Sequence, residues 1–89
     1  MKIQETNEHA LALAALGWTL GEPARADRLL ALTGLTPGDL RSRLSDSATL
    51  AAILRFLEAH EPDLLACADA LDIEPTELVG ARRRLEAGQ

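Results

Sequence analysis

Apolar residues along the chain recur at intervals of three and four positions, the spacing that is typical of amphipathic α-helices. Proline, glycine and small polar residues interrupt this pattern at the places where helices begin and end. Each of the four prolines stands at or next to the first position of a segment, where its missing N–H breaks no hydrogen bond. The pattern predicts helices over about residues 6–19, 23–33, 37–44, 46–59, 62–71 and 75–87. The first helix begins near Thr6 or Asn7, either of which can cap it.

The clearest boundary lies in the segment LTGLTPGDLRSRL, which covers Leu32–Leu44. Gly34 suits the left-handed conformation that commonly ends a helix. Thr36 suits the N-cap of the next helix, and Asp39 stands where the acid of a capping box lies. We therefore predict a helix end, a tight turn and a newly capped helix, with Leu44 facing inward.

The first and fourth predicted helices are apolar around most of their circumference. On helix 1 the apolar residues form two stripes, one of Ile3, Ala10, Leu13, Gly17 and Leu20 and the other of Leu11, Ala15 and Trp18. On helix 4 they are Leu50, Ala52, Ile53, Leu54, Phe56 and Leu57. A helix that is apolar on all sides is either central in a core or has a second contact surface. Gly17 also lets another backbone approach closely, at a cost in helix stability.

The elements of residues 6–44 recur in the same order in residues 46–87. Glu22–Pro23 matches Glu61–Pro62, and the start of the third helix matches the start of the sixth. We interpret the chain as a single all-α domain over residues 1–89, a compact bundle of five to six short helices in two pseudo-repeated units of three. The alternative is convergence, because proline followed by an acid and leucine is a common way to begin a helix.

Composition supports the helical interpretation. Apolar residues make up 47% of the 89 positions, and leucine and alanine carry this fraction, because the chain has one Trp, one Phe and no Tyr. Leucine and alanine are strong helix formers, whereas β-branched residues, which favour strands, are scarce. A chain of this length allows one domain with a modest core. Cys67 is the single cysteine, so no internal disulfide can support the fold.

The formal charge of −5 argues against general affinity for phosphate backbones or anionic membranes. Glu5 and Glu8 stand where a signal peptide would carry basic and then apolar residues. The apolar run Ala10–Leu16 is too short to span a bilayer. We expect a cytoplasmic protein that has no membrane partner.

The stretches LALAALGWTLGEPARADRLLALTGLTPGDLRSRL and LAAILRFLEAHEPDLLACADALDIEPTELVGARRRL together resemble a small all-helical bacterial family, known only as a domain of unknown function. The resemblance covers about residues 8–85. Its most specific parts are Leu32–Leu40 and the Phe56–Leu57 pair before Pro62. That family has no assigned catalytic or binding residues, so the resemblance implies a helical fold and supplies no activity.

The turns at Leu32–Leu44 and Leu71–Leu78 also resemble the corner of a DNA-binding helix-turn-helix. Asp72 stands where that motif has glycine, and Leu30 stands where it has a small residue. A recognition helix after the second turn would direct Glu77 towards phosphates. The stretch between Arg55 and Arg82 contains no lysine or arginine. Its acidic residues are Glu58, Glu61, Asp63, Asp69, Asp72, Glu74 and Glu77. We expect a plain bundle corner, and nucleic-acid binding through the helix at Pro37 or Pro75 is the alternative.

Arg82, Arg83 and Arg84 form the one basic cluster of the sequence. These arginines suit the C-terminal end of a helix, where one or two of them would pair with acids. The alternative is a docking patch for an acidic partner. The acidic segment Glu58–Glu77 of a second copy would provide such a partner.

No residue pattern indicates catalysis. The sequence has no glycine-rich phosphate loop, no nucleophile motif and no paired metal ligands. His9 lies one turn after Glu5, but two ligands on one helical turn do not make a metal site. Cys67 has apolar neighbours and no basic residue close in sequence, so we expect it in the core. We predict no enzyme, no cofactor, no metal and no small-molecule substrate.

The sequence therefore predicts a small cytoplasmic module that binds another protein or a second copy of itself. The predicted interaction surface combines apolar residues of helices 1 and 4 with the basic cluster, namely Leu11, Trp18, Leu20, Phe56, Arg82, Arg83 and Arg84. The alternative for the apolar members is that they fill the core.

Overall fold

The computed structural model describes residues 7–88. These residues form six α-helices and contain no strand, which confirms the predicted all-α bundle. The helices are α1 (Glu8–Leu20), α2 (Pro23–Thr33), α3 (Pro37–Ser42), α4 (Ser47–Glu58), α5 (Glu61–Leu71) and α6 (Pro75–Ala87). They pack within 33 × 28 × 22 Å. Within this part of the chain, every helix is too short or too polar to cross a membrane.

Side-chain caps fix the helix boundaries that the sequence predicts. Asn7 Oδ1 accepts the N–H of Ala10 at 2.9 Å, at the start of α1. Thr36 Oγ1 accepts the N–H of Asp39, and the Asp39 carboxylate accepts the N–H of Thr36, both at 3.0 Å. Gly34 ends α2 with a left-handed φ of 75°. These predictions are confirmed because each depends only on residues that are neighbours in sequence.

The third helix is shorter than predicted. It ends at Ser42, and the N–H of Asp46 then bonds to the carbonyl oxygen of Arg43 in a turn. Leu44, which we expected to face inward, is 38% exposed. That expectation is wrong because a residue in the turn is no longer held on the inward face of a continuing helix.

The turn after α5 is formed by Asp72, the residue that stands where a helix-turn-helix has glycine. Asp72 has a left-handed φ of 60°, and the N–H of Ile73 bonds to the carbonyl oxygen of Ala68. Aspartate is among the few residues other than glycine that adopt this conformation readily. The chain therefore ends α5, like α2, with a residue in the left-handed conformation, but without a glycine.

The core lies around α4, which packs against α1, α2, α5 and α6. Of the two alternatives for the fourth helix, a central position or a second contact surface, this arrangement shows the central position. Leu40 is the buried residue of α3. The helix α3 takes part in none of the principal contacts between helices. The largest fully buried side chains are Leu29, Leu50, Ile53, Leu54, Leu57, Leu78, Leu85, Thr19 and Cys67.

The two predicted units correspond to α1–α3 and α4–α6. The second helix of each unit packs against the first helix of the other, since α2 contacts α4 and α5 contacts α1. The third helices differ, because α6 has 13 residues and packs against α1, α4 and α5, whereas α3 has six residues. The internal repeat itself stays a prediction.

Candidate interaction surfaces

The side of α1 that faces away from the bundle is apolar along its whole length. We call this surface the outer face of α1; it consists of Ala10, Leu13, Ala14, Gly17 and Leu20, all of them exposed. Leu13 is 41% exposed and Leu20 is 45% exposed. The predicted stripe thus lies on the surface, apart from Ile3, which is outside the described residues. A solvent-facing side of a helix usually carries polar residues.

Gly17 lies at the middle of the outer face. A Cβ atom built at this position meets nothing within 4 Å beyond its chain neighbours and its own helix backbone, so no other backbone of residues 7–88 approaches it. Glycine inside a helix costs about 1 kcal/mol relative to alanine. Within residues 7–88, no contact offsets this cost.

Two residues of the predicted interaction surface are buried instead. Leu11 is only 9% exposed, because it lies with Ala15 on the side of α1 that faces the core. Phe56 is 6% exposed and packs within the same core. The prediction that Leu11 belongs to an exposed surface is therefore wrong. Phe56 reaches the surface only at the edge that lines the groove described below.

Trp18 is half-buried and is covered by an arginine. The guanidinium carbon of Arg25 lies 3.8 Å from the centroid of the Trp18 ring. Arg25 Nη2 also donates to the Trp18 carbonyl oxygen at 2.6 Å, and Arg25 Nη1 donates to Glu22 at 3.2 Å. Trp18 thereby fixes the corner between α1 and α2, and its ring presents little free apolar surface.

An apolar groove with a volume of about 550 Å³ runs between the end of α2 and the outward side of α4. We call it the α2–α4 groove. Leu32, which is 72% exposed, forms a wall. The lining residues are Leu32, Thr33, Leu35, Arg43, Asp46, Ala48, Thr49, Ala52, Arg55, Phe56 and Ala59. The sequence analysis did not predict this groove. The signal for it in the sequence was Leu32, a leucine that lies outside the inward-facing positions of α2.

The edge of the α2–α4 groove is basic, although the chain carries a net charge of −5. Arg55 donates to Glu86, and Arg43 makes no ion pair with any residue that the structure describes. Asp46 is the one acid among the lining residues, and its carboxylate accepts the hydroxyl of Thr49 at 2.7 Å. Bonds from the Thr49 hydroxyl and N–H hold the pKa of Asp46 below its usual range.

The guanidinium carbon of a third arginine, Arg28, lies 5.9 Å from the centroid of the Phe56 ring. Arg28 also pairs with Asp63 on α5. Because Asp63 balances its charge, Arg28 covers Phe56 beside the α2–α4 groove without adding net positive charge there.

Arginines of the basic cluster of α6 form ion pairs with acidic residues of the same chain. Arg82 Nε and Nη2 donate to the two carboxylate oxygens of Glu58 at 2.8 and 2.9 Å, and Arg82 Nη1 donates to Glu86 at 2.8 Å. Arg84 pairs with Glu8 at 3.2 Å. The predicted pairing of one or two arginines with acids is confirmed. Arg83 is exposed and has no ion pair within residues 7–88.

The second predicted corner, before α6, is strongly acidic. A cleft of about 260 Å³ there is lined by Asp69, Asp72, Ile73, Glu74 and Glu77. The Glu77 carboxylate accepts the N–H of Glu74 at 3.1 Å, as part of a capping box. These carboxylates lie at the place where the helix-turn-helix alternative would bring phosphates.

Among the remaining candidate residues, Glu5, which was considered with His9 as a pair of metal ligands, lies outside the described residues. Cys67 is fully buried, and burial raises the pKa of its thiol to about 11. Residues 7–88 bring together no group of three or more His, Cys, Asp or Glu side chains that could hold a metal ion.

Comparison with known proteins gives one match. No protein from the curated set matches the chain, and no solved structure matches it. The family model described as "Protein of unknown function (DUF3572)" matches residues 5–88. The chain therefore belongs to the DUF3572 family.

Proposed function

We propose that the protein is a small, non-catalytic helical module of the bacterial cytoplasm, and that it works by associating with a second copy of itself. The observation that carries this proposal is the outer face of α1, which is apolar, exposed and free of charge. Helices that are apolar on all sides are normally buried. The other side of α1 packs against the bundle, and within residues 7–88 nothing covers the outer face, so a second copy has room to pack there.

A second copy fits the outer face because the face is complementary to itself. A two-fold axis at Gly17 places two antiparallel α1 helices so that Leu20 of one copy faces Ala14 of the other. Leu13 then faces Gly21 of the other copy, and the two Gly17 residues face each other. Each large side chain meets a small residue, which lets the helix axes approach closely. Because the face carries no charge, two chains of net charge −5 meet there without direct repulsion.

The non-catalytic part of the proposal is supported by what the polar side chains do. Asp39 and Asp46 cap helices, and Glu58 and Glu86 pair with Arg82. The Cys67 thiol, with its pKa raised to about 11, is a poor nucleophile at neutral pH. We propose no cofactor and no small-molecule substrate.

Sedimentation equilibrium across a range of protein concentrations, in low and in high salt, tests this proposal. The outer face of α1 is about 15 Å long, which is small for an interface, so we expect a weak monomer–dimer equilibrium. We expect the dimer to persist in high salt because apolar contacts are not screened. The variant Leu13→Glu should be monomeric. The matched variant Leu65→Glu changes a leucine of α5 that is 47% exposed, and it should still dimerise.

Other outcomes would contradict the proposal. A chain that is monomeric at every concentration, or a dimer that is unchanged by Leu13→Glu, would rule out association through the outer face of α1. A dimer that is lost in high salt would indicate instead that Arg83 meets the acidic segment of a second copy.

The second candidate function is nucleic-acid binding through the helix at Pro37. The exposed residues Arg41 and Arg43, at and just after the end of α3, favour this site over the acidic corner before α6. Fluorescence anisotropy with a labelled DNA duplex tests it. Salt-sensitive binding that is lost in Arg41→Glu but kept in Arg83→Glu would support the candidate. No binding at low salt would exclude it.

A further inference from the structure

We propose that the α2–α4 groove binds an amphipathic helix of a partner protein, one that has an apolar face flanked by acidic residues. The groove and the outer face of α1 share no residue. The protein would thus associate with itself through α1 and present the groove to a different protein.

The shape of the groove suits a helix of about three turns. Ala48, Ala52 and Ala59 follow one side of α4 for roughly 17 Å, and Arg55 lies on the same side between Ala52 and Ala59. The small side chains of Ala48 and Ala52 let the axis of a second helix come close to that of α4 there. Leu32 and Leu35 supply an apolar wall against which larger side chains of a partner can pack. A helix that lays its apolar face in a groove inserts residues at spacings of three, four and seven in this way.

The arginines of the groove determine which charged residues can lie beside the apolar face of the partner helix. Arg43 and Arg55 line the groove, and Arg55 remains exposed although it bonds to Glu86. The single lining acid, Asp46, is already used in the N-cap of α4. Acidic residues beside the apolar face of a partner would meet arginines, whereas basic residues would meet like charge.

The open form of the groove favours a helix over a small amphiphile. Ligand pockets usually enclose most of the surface of a small molecule. The α2–α4 groove is open along its side, so a single alkyl chain would stay in contact with water. A helix covers its own backbone groups and needs to bury one face only.

NMR titration of the 15N-labelled full chain tests the proposal. The probes are two capped helical peptides of about 14 residues with the same leucines at intervals of three and four. One peptide has glutamate on both flanks and the other has lysine at the same positions. We expect shifts at Leu32, Ala52 and Phe56 with the glutamate peptide, and about tenfold weaker binding of the lysine peptide at low salt.

Paired variants assign the binding to the groove. Leu32→Glu should weaken binding of the glutamate peptide by about tenfold or more, whereas Leu65→Glu should not change it. Arg43→Glu should reduce the preference for the glutamate peptide, and Arg83→Glu should leave that preference intact. Binding should also survive in Leu13→Glu, so its result does not depend on whether the chain dimerises through α1.

Three results would overturn this inference. Equal affinity for the two peptides would show that the arginines do not select the partner. Shifts outside the groove, or binding that is insensitive to Leu32→Glu, would place the peptide elsewhere. Saturable shifts at the groove with dodecanoate, without any shift from the glutamate peptide, would make the groove a site for an amphiphile.

Discussion

The Arg25 guanidinium lies against the face of the Trp18 ring, 3.8 Å from its centroid, and so closes the corner between the first two helices. The same arginine donates to the Trp18 carbonyl oxygen at 2.6 Å, near the end of α1, where this oxygen also accepts the N–H of Gly21 at 3.1 Å. One side chain therefore caps a helix and covers the one tryptophan of the chain.

We expect Arg25→Ala to lower the free energy of unfolding by about 1–2 kcal/mol, because both the ring contact and the cap are lost. The Trp18 emission should shift to longer wavelength because water reaches the ring. Urea denaturation followed by fluorescence measures both effects. Arg83→Ala, which removes an exposed arginine outside this corner, should change neither value. An unchanged emission maximum in Arg25→Ala would contradict the described cover.

Gly17→Ala should have opposite effects on the monomer and on the dimer. Alanine stabilises the helix of the monomer by about 1 kcal/mol, since the added methyl group has open space. The same methyl group should separate two crossing α1 helices and weaken the dimer. Urea denaturation at low concentration and sedimentation equilibrium measure the two effects. A dimer as strong as that of the unchanged chain would place the two-fold axis away from Gly17.

Gly38→Ala is the matched control for this prediction. It adds a methyl group to α3, where the nearest atom, Thr36 Oγ1, lies at an ordinary 3.7 Å. We expect no effect on the dimer.

Acid should destabilise the capped ends of α3 and α4. Hydrogen bonds from Thr36 lower the pKa of Asp39, and those from Thr49 lower the pKa of Asp46. As the pH falls, the two carboxylates are protonated in the unfolded chain before they are protonated in the folded chain. Their contribution to stability is therefore full above about pH 4 and is lost as the pH falls through their pKa values in the folded chain. Thermal unfolding followed by circular dichroism from neutral to acid pH measures the loss.

The variant Asp46→Asn keeps a side chain that can cap α4 but removes the negative charge of the carboxylate. Asparagine remains a good N-cap, so stability at neutral pH should change little, while the loss in acid should become smaller. Asp27→Asn, which removes an exposed carboxylate of α2 that caps no helix, is the control. An acid profile of Asp46→Asn that matches the unchanged chain would contradict the assignment.

The Cys67 thiol should react with a disulfide reagent only when the chain opens. Its side chain is fully buried and its pKa is raised to about 11 by burial. The unfolded chain ionises first, so this group's contribution to stability is complete below about pH 9 and is lost as the pH rises towards 11. Reaction rates with and without urea at neutral pH test the burial. Rapid reaction of the folded chain would contradict it.

The parts of the fold that the sequence predicts correctly depend on local chemistry. Asn7, Gly34 and Thr36 act within a few residues of their own positions, so their roles follow from the sequence alone. The early end of α3 depends on where the chain enters the core again at the start of α4. The apolar side chain of Leu44 does not indicate this position.

The candidate surfaces were harder to predict because both sides of α1 are apolar. Leu11 and Leu13 have the same chemistry, and only the position of the neighbouring helices decides that Leu11 is buried and Leu13 is exposed. The α2–α4 groove depends on a short α3 that leaves one side of α4 uncovered. Neither property is contained in the periodicity of a single helix.

The ion pair between Glu8 and Arg84 joins residues from opposite ends of the described chain, and α6 packs along both α1 and α4. During synthesis on the ribosome, the segments up to α5 therefore emerge without the helix that completes their core. Leu78 and Leu85 supply part of that core, so a nascent chain must keep apolar surface uncovered until α6 has been made. Cooperative folding of this bundle therefore waits until α6 has been made, and the nascent bundle is open to chaperones before then.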